Sequence, residues 1–130
     1  MGVVYLPPDQ IRELHDDAVK DFGGIQGMRS EQSFLSAVYQ PQQSAFGEDA
    51  YATVSEKAAA YGFFLAEGQP FIDGNKRTAA LAMLTFLELN GLALVADDDQ
   101  IAGMFENLGN KSIDQSGFFA WACDCIRPVA

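Results

Sequence analysis

Two stretches of this chain are apolar on every side of a helix, and one short polar loop joins them. The first is Ala58-Ala59-Ala60-Tyr61-Gly62-Phe63-Phe64-Leu65-Ala66, within a helix predicted from about Thr53 to Glu67. The second is Thr78-Ala79-Ala80-Leu81-Ala82-Met83-Leu84-Thr85-Phe86-Leu87-Glu88-Leu89, closed by Asn90-Gly91. A helix without a polar face has nowhere to sit except the centre of a core. Both helices are therefore central, and residues 69–75 connect them as a tight turn. Gly68 stands where a C-terminal stop belongs.

Amphipathic segments surround this pair. Val3 to Leu6 can form a short strand, stopped by Pro7-Pro8. A helix follows to about Phe22, with Ile11, Leu14, Ala18 and Phe22 expected on one buried face. Gly23-Gly24 ends it, and residues 24–29 form a loop. Ser30 caps a helix to about Tyr39, with Phe34, Leu35 and Val38 inward. Gln40 to Tyr51 has no helical period and carries Pro41 and Gly47, so it is predicted as an exposed loop or hairpin flap. Leu92 to Val95 reads as a short strand. Asp97 or Asp98 opens a helix to about Leu108, and a last helix spans about Asp114 to Ile126, with Phe118, Phe119, Trp121 and Ala122 as packing candidates. Tyr61, Phe63 and Phe64 read as core rather than a base-stacking platform. The sum is a single all-α domain over residues 1–130, a compact bundle of five or six helices with minimal β.

A chain of 130 residues buries roughly two-thirds of its unfolded surface, enough for one real core. Eighteen acids against eight bases give a net charge of −10. Such a surface repels phosphate backbones at long range, which argues against nucleic-acid binding and suits a basic protein partner. No apolar run approaches the ~18 residues of a membrane span, and the N-terminus has neither a basic segment nor a long apolar one, so neither membrane insertion nor secretion is expected. Cys123 and Cys125 are two residues apart, a poor spacing for a disulfide in regular structure. They read as reduced, packed thiols of a cytoplasmic protein. Asp97-Asp98-Asp99 reads as a solvated helix start.

The chemistry concentrates in Gln69-Pro70-Phe71-Ile72-Asp73-Gly74-Asn75-Lys76-Arg77-Thr78-Ala79. Two of only eight bases sit side by side at a helix start, where the helix is already positive. That placement makes sense if an anion occupies the end. Free N–H groups after Gly74 would point at the anion, and glycine lets the backbone approach. Asp73 can hold a hard cation such as Mg²⁺. Together these features suggest a nucleoside triphosphate with magnesium, although no Walker sequence is present. The plainer alternative is a solvated helix start with Asp73 as its N-cap.

Asp73 to Ala79, preceded by Pro70-Phe71, resembles the signature H-P-F-x-[DE]-G-N-[GK]-R of the Fic/Doc (Fido) family. Lys76 at the variable place, and the segments Leu14-His15-Asp16, Gly27-Met28-Arg29 and Phe86-Leu87-Glu88-Leu89-Asn90-Gly91, are similar to its Doc branch, the death-on-curing toxins. The resemblance runs from about Tyr5 to Asn90. It implies a mostly helical protein that transfers part of a nucleotide to a protein hydroxyl. In the Doc branch the γ-phosphoryl of ATP moves to a Ser or Thr of a bacterial translation protein, and a small antitoxin neutralises the toxin. By motif position, Asp73 would hold Mg²⁺, Gly74, Asn75 and Lys76 would line the phosphate cradle, Arg77 would neutralise the transferring group, and Phe71 would anchor the loop. By the same resemblance, residues 40–51 would supply the flap against which the target peptide lies. No self-inhibitory [ST]-x-x-x-E-[GN] helix is found, which favours a separate antitoxin. Other members of the family are adenylyltransferases (AMPylation), but those usually carry glycine where this chain has Lys76.

The pattern opens with histidine, the general base, and here the position holds Gln69. An amide can orient a hydroxyl but cannot take its proton near neutral pH. Natural divergence and deliberate inactivation of a toxin would both leave this residue. The expectation is a chain that binds nucleotide yet catalyses weakly, with a non-catalytic nucleotide-binding module as the remaining alternative. His15, the single histidine, is expected at the surface beside Asp16 and Asp17, away from the loop.

Overall fold

The computed structural model describes residues 2–129. Six α-helices account for most of them: α1 Pro8–Phe22, α2 Glu31–Tyr39, α3 Val54–Gly68, α4 Asn75–Leu89, α5 Asp98–Gly109 and α6 Gln115–Cys125. A 3₁₀ turn, Gln40–Gln42, extends α2. Four very short strands form two antiparallel pairs, β1 Ser44–Ala45 with β2 Glu48–Asp49, and β3 Leu92–Leu94 with β4 Ile126–Pro128.

The helix starts follow their capping chemistry. Ser30 accepts from the Ser33 N–H, Thr53 and Glu56 form a reciprocal capping box, and Asp97 and Gln100 form another. Asp114 caps α6 by accepting from Gly117 N–H. Each side chain satisfies a donor that the first helical turn leaves orphaned. Asp97 thus explains the acidic run that precedes α5.

The pair α3 and α4 forms the centre, as their all-round apolarity requires. Ala58, Tyr61, Leu65, Ala82, Met83 and Phe86 are fully or almost fully buried. Gly62 allows this approach: a Cβ there would lie 3.0 Å from the Met83 sulfur and 3.1 Å from the Phe105 ring. The Tyr61 hydroxyl accepts from the Leu6 N–H at 3.0 Å, and burial pushes its pKa up to about 12. Arg12 joins α1 to α2 through a two-pronged pair with Glu31 and lies 4.6 Å above the Phe34 ring.

Four sequence expectations are corrected. Residues 3–6 are not a strand. They are tied to the end of α4 by Asn90, whose Oδ1 accepts from Val4 N–H and whose Nδ2 donates to Val4 O. Phe22 is 64% exposed, because the inward stripe of α1 runs through Ile11, His15, Ala18 and Val19. Gly68 is the last residue of α3 and not its left-handed stop; that conformation falls on Gln69. The final expected helix yields its last residue, Ile126, to β4, which pairs with β3.

The predicted flap is a hairpin. Phe46 and Gly47 form its two-residue turn with φ of 55° and 80°. Positive φ at both central positions matches the right-handed twist of the flanking strands. Lys57, which carried no signal in the sequence, is 1% exposed. Its Nζ bonds Asp49 Oδ2 at 3.0 Å and the Tyr51 carbonyl, fastening the flap to α3.

Candidate active site

The loop between α3 and α4 is held from three sides. Phe71 is 2% exposed and drives its ring into the core. The His15 ring stacks on it, with centroids 3.7 Å apart and planes 7° apart. His15 Nε2 lies 2.8 Å from the Asp73 carbonyl. A carbonyl only accepts, so Nε2 carries the hydrogen and donates. His15 is therefore a buried brace, 2% exposed, and not the surface residue expected from its acidic neighbours. Its spacing from Ile11, four residues on, was the signal for an inward position.

The second support is Asn75. Its Oδ1 accepts from Phe71 N–H at 2.9 Å and its Nδ2 donates to Phe71 O at 3.0 Å. The amide closes the turn, so Asn75 faces the cradle with its backbone N–H and not its side chain. The third support is the segment before α2. Met28 pairs with Phe71 as an isolated antiparallel bridge. Arg29 N–H donates to Pro70 O at 2.7 Å, and Ile72 N–H donates to Gly27 O at 3.1 Å.

These supports fix an open helix end. Gly74 occupies the N-cap of α4 with φ 81°, and no side chain caps the helix. The first intrahelical bond is Thr78 N–H to Gly74 O, which leaves the N–H groups of residues 75–77 without an intrahelical acceptor. A Cβ at Gly74 would lie 3.3 Å from Val19 and 3.5 Å from His15. Asp73 is not the N-cap. Its Oδ2 accepts from Ile25 N–H at 2.8 Å, and its Oδ1 accepts no hydrogen bond among the described residues.

An open cleft of about 340 Å³ gathers Arg29, Gln69, Asp73, Gly74, Asn75 and Lys76. Glu106, Gly109 and Asn110 form the facing wall. Lys76 crosses to that wall. Its stem passes where a Cβ of Gly109 would lie, 3.0 Å from Cδ, and its Nζ meets Glu106 at 2.7 Å. A second hollow of about 500 Å³ adjoins the first between α4 and α5, with Leu81, Leu84, Ile101 and Phe105 among its apolar lining. Arg77 lines this hollow and not the first; its guanidinium lies 3.6 Å over the exposed Phe22 ring. Five of the six residues singled out in the sequence thus share one cleft, and Arg77 stands beside it.

Gln69 sits in this cleft with φ 43° and ψ 55°. A left-handed residue with a side chain costs about 1–2 kcal/mol relative to ordinary backbone. Such strain, held in place by its surroundings, is characteristic of functional positions.

Residues 5–87 match the Fic/DOC family model, more than half of the 130-residue chain. The chain belongs to the Fic/DOC family. A relative from Mycolicibacterium smegmatis, "Toxin Doc", is 45% identical over 78 residues, which are 60% of this chain and 60% of that protein. "Protein kinase doc" of Escherichia phage P1 is 31% identical over 100 residues, covering 77% of this chain and 78% of the phage protein. The family match ends within α4, so the wall formed by Glu106, Gly109 and Asn110 lies outside it.

The donor set fits magnesium brought by a polyphosphate. No group of three or more His, Cys, Asp or Glu able to hold a metal occurs among the described residues. Asp73 offers one carboxylate beside a helix N-terminus. Mg²⁺ is commonly held in this way, by one or two carboxylates with phosphate oxygens and water completing its shell.

Proposed function

We propose that this chain is a Doc-type toxin whose cleft binds ATP with Mg²⁺ and whose fold is built to move a phosphoryl group to a Ser or Thr hydroxyl of a protein. The observation that carries this reading is the uncapped N-terminus of α4, opening beside Asp73 and Lys76 in one cleft. The names of its relatives, a toxin and a protein kinase, support it.

Asp73 would hold the Mg²⁺, which neutralises phosphate charge when bound. The N–H groups that follow Gly74 and the Lys76 ammonium would hold phosphate oxygens, with Lys76 exchanging Glu106 for the ligand. Arg77, stacked on Phe22, adds its charge to the field of the cleft. In the transfer, the target hydroxyl oxygen forms a bond to the terminal phosphorus, the bridging P–O bond breaks, and ADP leaves with its electron pair. The hydroxyl proton needs an acceptor, and Gln69 is not one. The left-handed backbone at position 69 suits histidine, which tolerates this region better than most residues. Gln69 thus leaves binding intact and slows transfer by about 10²–10⁴-fold, the usual effect of a missing general base.

A small antitoxin protein is the proposed regulator, and a bacterial translation protein the proposed target. The net charge of −10 favours basic segments in both. Lys76 favours phosphoryl over adenylyl transfer, because its side chain takes space that glycine would leave open.

The test is Gln69→His incubated with bacterial lysate and ATP labelled at either the γ or the α position. The proposal expects γ-label on protein and a rate well above that of the parent. Label from the α position would instead establish adenylyl transfer. No labelled protein, with nucleotide still bound, would leave a binding module and contradict the toxin-kinase reading.

A further inference from the structure

We propose that Arg29 is a direct ligand of the nucleotide's phosphate tail, and that it supplies at the transfer point the positive charge which the motif pattern alone would give to Arg77. This rests on the cleft being the nucleotide site described above. Arg29 lies forty residues before Gln69, in the Gly27-Met28-Arg29 segment and outside the signature loop.

Three observations carry the assignment. The first is position. Arg29 lines the same cleft as Gln69, Asp73 and Lys76, whereas Arg77 lines only the adjoining hollow. Gln69 marks where the attacking hydroxyl must sit, so a cation that shares its cleft is within the space the transferred group occupies. Lys76 is drawn to the α5 wall by Glu106, where Gly109 leaves room for its stem. A polyphosphate lying across the α4 N-terminus would thus have a base on either side.

The second is rigidity. Arg29 N–H donates to Pro70 O at 2.7 Å, and the next residue, Ser30, donates to the same carbonyl at 3.1 Å. The backbone of Arg29 is therefore fixed to the residue that follows Gln69. A phosphate ligand needs such an anchor to keep its geometry through the reaction.

The third is charge. Arg12, Lys57, Lys76 and Lys111 each pair with a carboxylate, whereas Lys20, Arg29, Arg77 and Arg127 do not among the described residues, and of these four only Arg29 lines the cleft that holds Gln69 and Asp73. Arg29 is exposed and forms no ion pair among the described residues. Its fork of five N–H donors suits phosphate oxygens in a two-pronged contact that lysine cannot reproduce.

Binding can be measured on the chain as it stands, because Gln69 keeps turnover low. ATP and inorganic tripolyphosphate, each with Mg²⁺, are titrated into the parent and into Arg29→Ala, Arg29→Lys and Arg77→Ala, with thermal melting to confirm the fold. Loss of a charge-assisted contact should weaken both ligands by about tenfold to a hundredfold in Arg29→Ala. Arg29→Lys should fall between the parent and Arg29→Ala, and Arg77→Ala should lose less than Arg29→Ala. Folded Arg29→Ala that binds both ligands within about twofold of the parent, as expected for a screened surface charge, would overturn the proposal while sparing the nucleotide site. A parent that binds neither ligand would overturn both.

Discussion

Asn75 shows how a motif can point to a residue without revealing which bonds its side chain makes. Its position beside the cleft was legible in the sequence, but its amide is spent on Phe71 N–H and O. Asn75→Ala leaves two partly buried backbone groups without partners, and each such loss costs about 1–3 kcal/mol when water cannot fully replace it. The expected outcome is a loss of about 2–4 kcal/mol in denaturant-monitored stability, accompanied by weaker nucleotide binding as the turn loosens. Asn75→Asp should be milder toward the Phe71 N–H, since an oxygen acceptor remains. His15 shows the opposite failure. Its flanking acids suggested solvent, yet the position four residues after Ile11 faces the core, and only the tertiary fold brings it under Asp73. Arg29 stood in a segment the sequence singled out, but its relation to Gln69 was hidden, because it runs through a backbone bond to Pro70 rather than through sequence proximity.

At the scale of elements, the helices were readable because their signals are local. Apolar spacing defines the faces, and Ser30, Thr53 and Asp97 announce starts that the structure realises through side-chain caps. The β3–β4 pairing was half hidden, since Ile126–Pro128 has no strand signature of its own and depends on a partner some thirty residues earlier. The flap was legible as a break in helical period, but its fastening to buried Lys57 was not. That fastening gives an unequal pair of outcomes. Lys57→Met removes the charge and keeps the stem, so global stability should change by only about 1 kcal/mol, because exchanging a buried ion for apolar packing is often nearly neutral. Asp49→Ala instead leaves the buried ammonium with the Tyr51 carbonyl, and should cost more, about 1–3 kcal/mol, since its carboxylate partner was half exposed. Both should speed limited proteolysis at Phe46–Gly47. Chemical denaturation and timed digestion read the two effects separately; a larger loss of stability in Lys57→Met than in Asp49→Ala would contradict the account.

For the whole molecule, the dominant property is a net charge of −10, against which one cleft brings Arg29 and Lys76 together with Asp73 and Glu106. No helix of the described residues is long and apolar enough to cross a membrane. With a net charge of −10, the chain repels free ATP at long range, and a divalent ion that lowers the ligand's charge should be needed for tight association. A single carboxylate, in turn, holds that ion weakly until phosphate completes its shell. Metal and nucleotide are therefore expected to bind together. The decisive measurement replaces Mg²⁺ with paramagnetic Mn²⁺ and follows backbone amide signals while Mn²⁺–ATP is titrated into the labelled chain. The account predicts that the amides of Asp73 to Arg77 broaden first, that the effect saturates at one ligand per chain, and that Mn²⁺ alone at the same concentration leaves them sharp. Broadening that begins elsewhere, or that Mn²⁺ produces equally well without ATP, would contradict it.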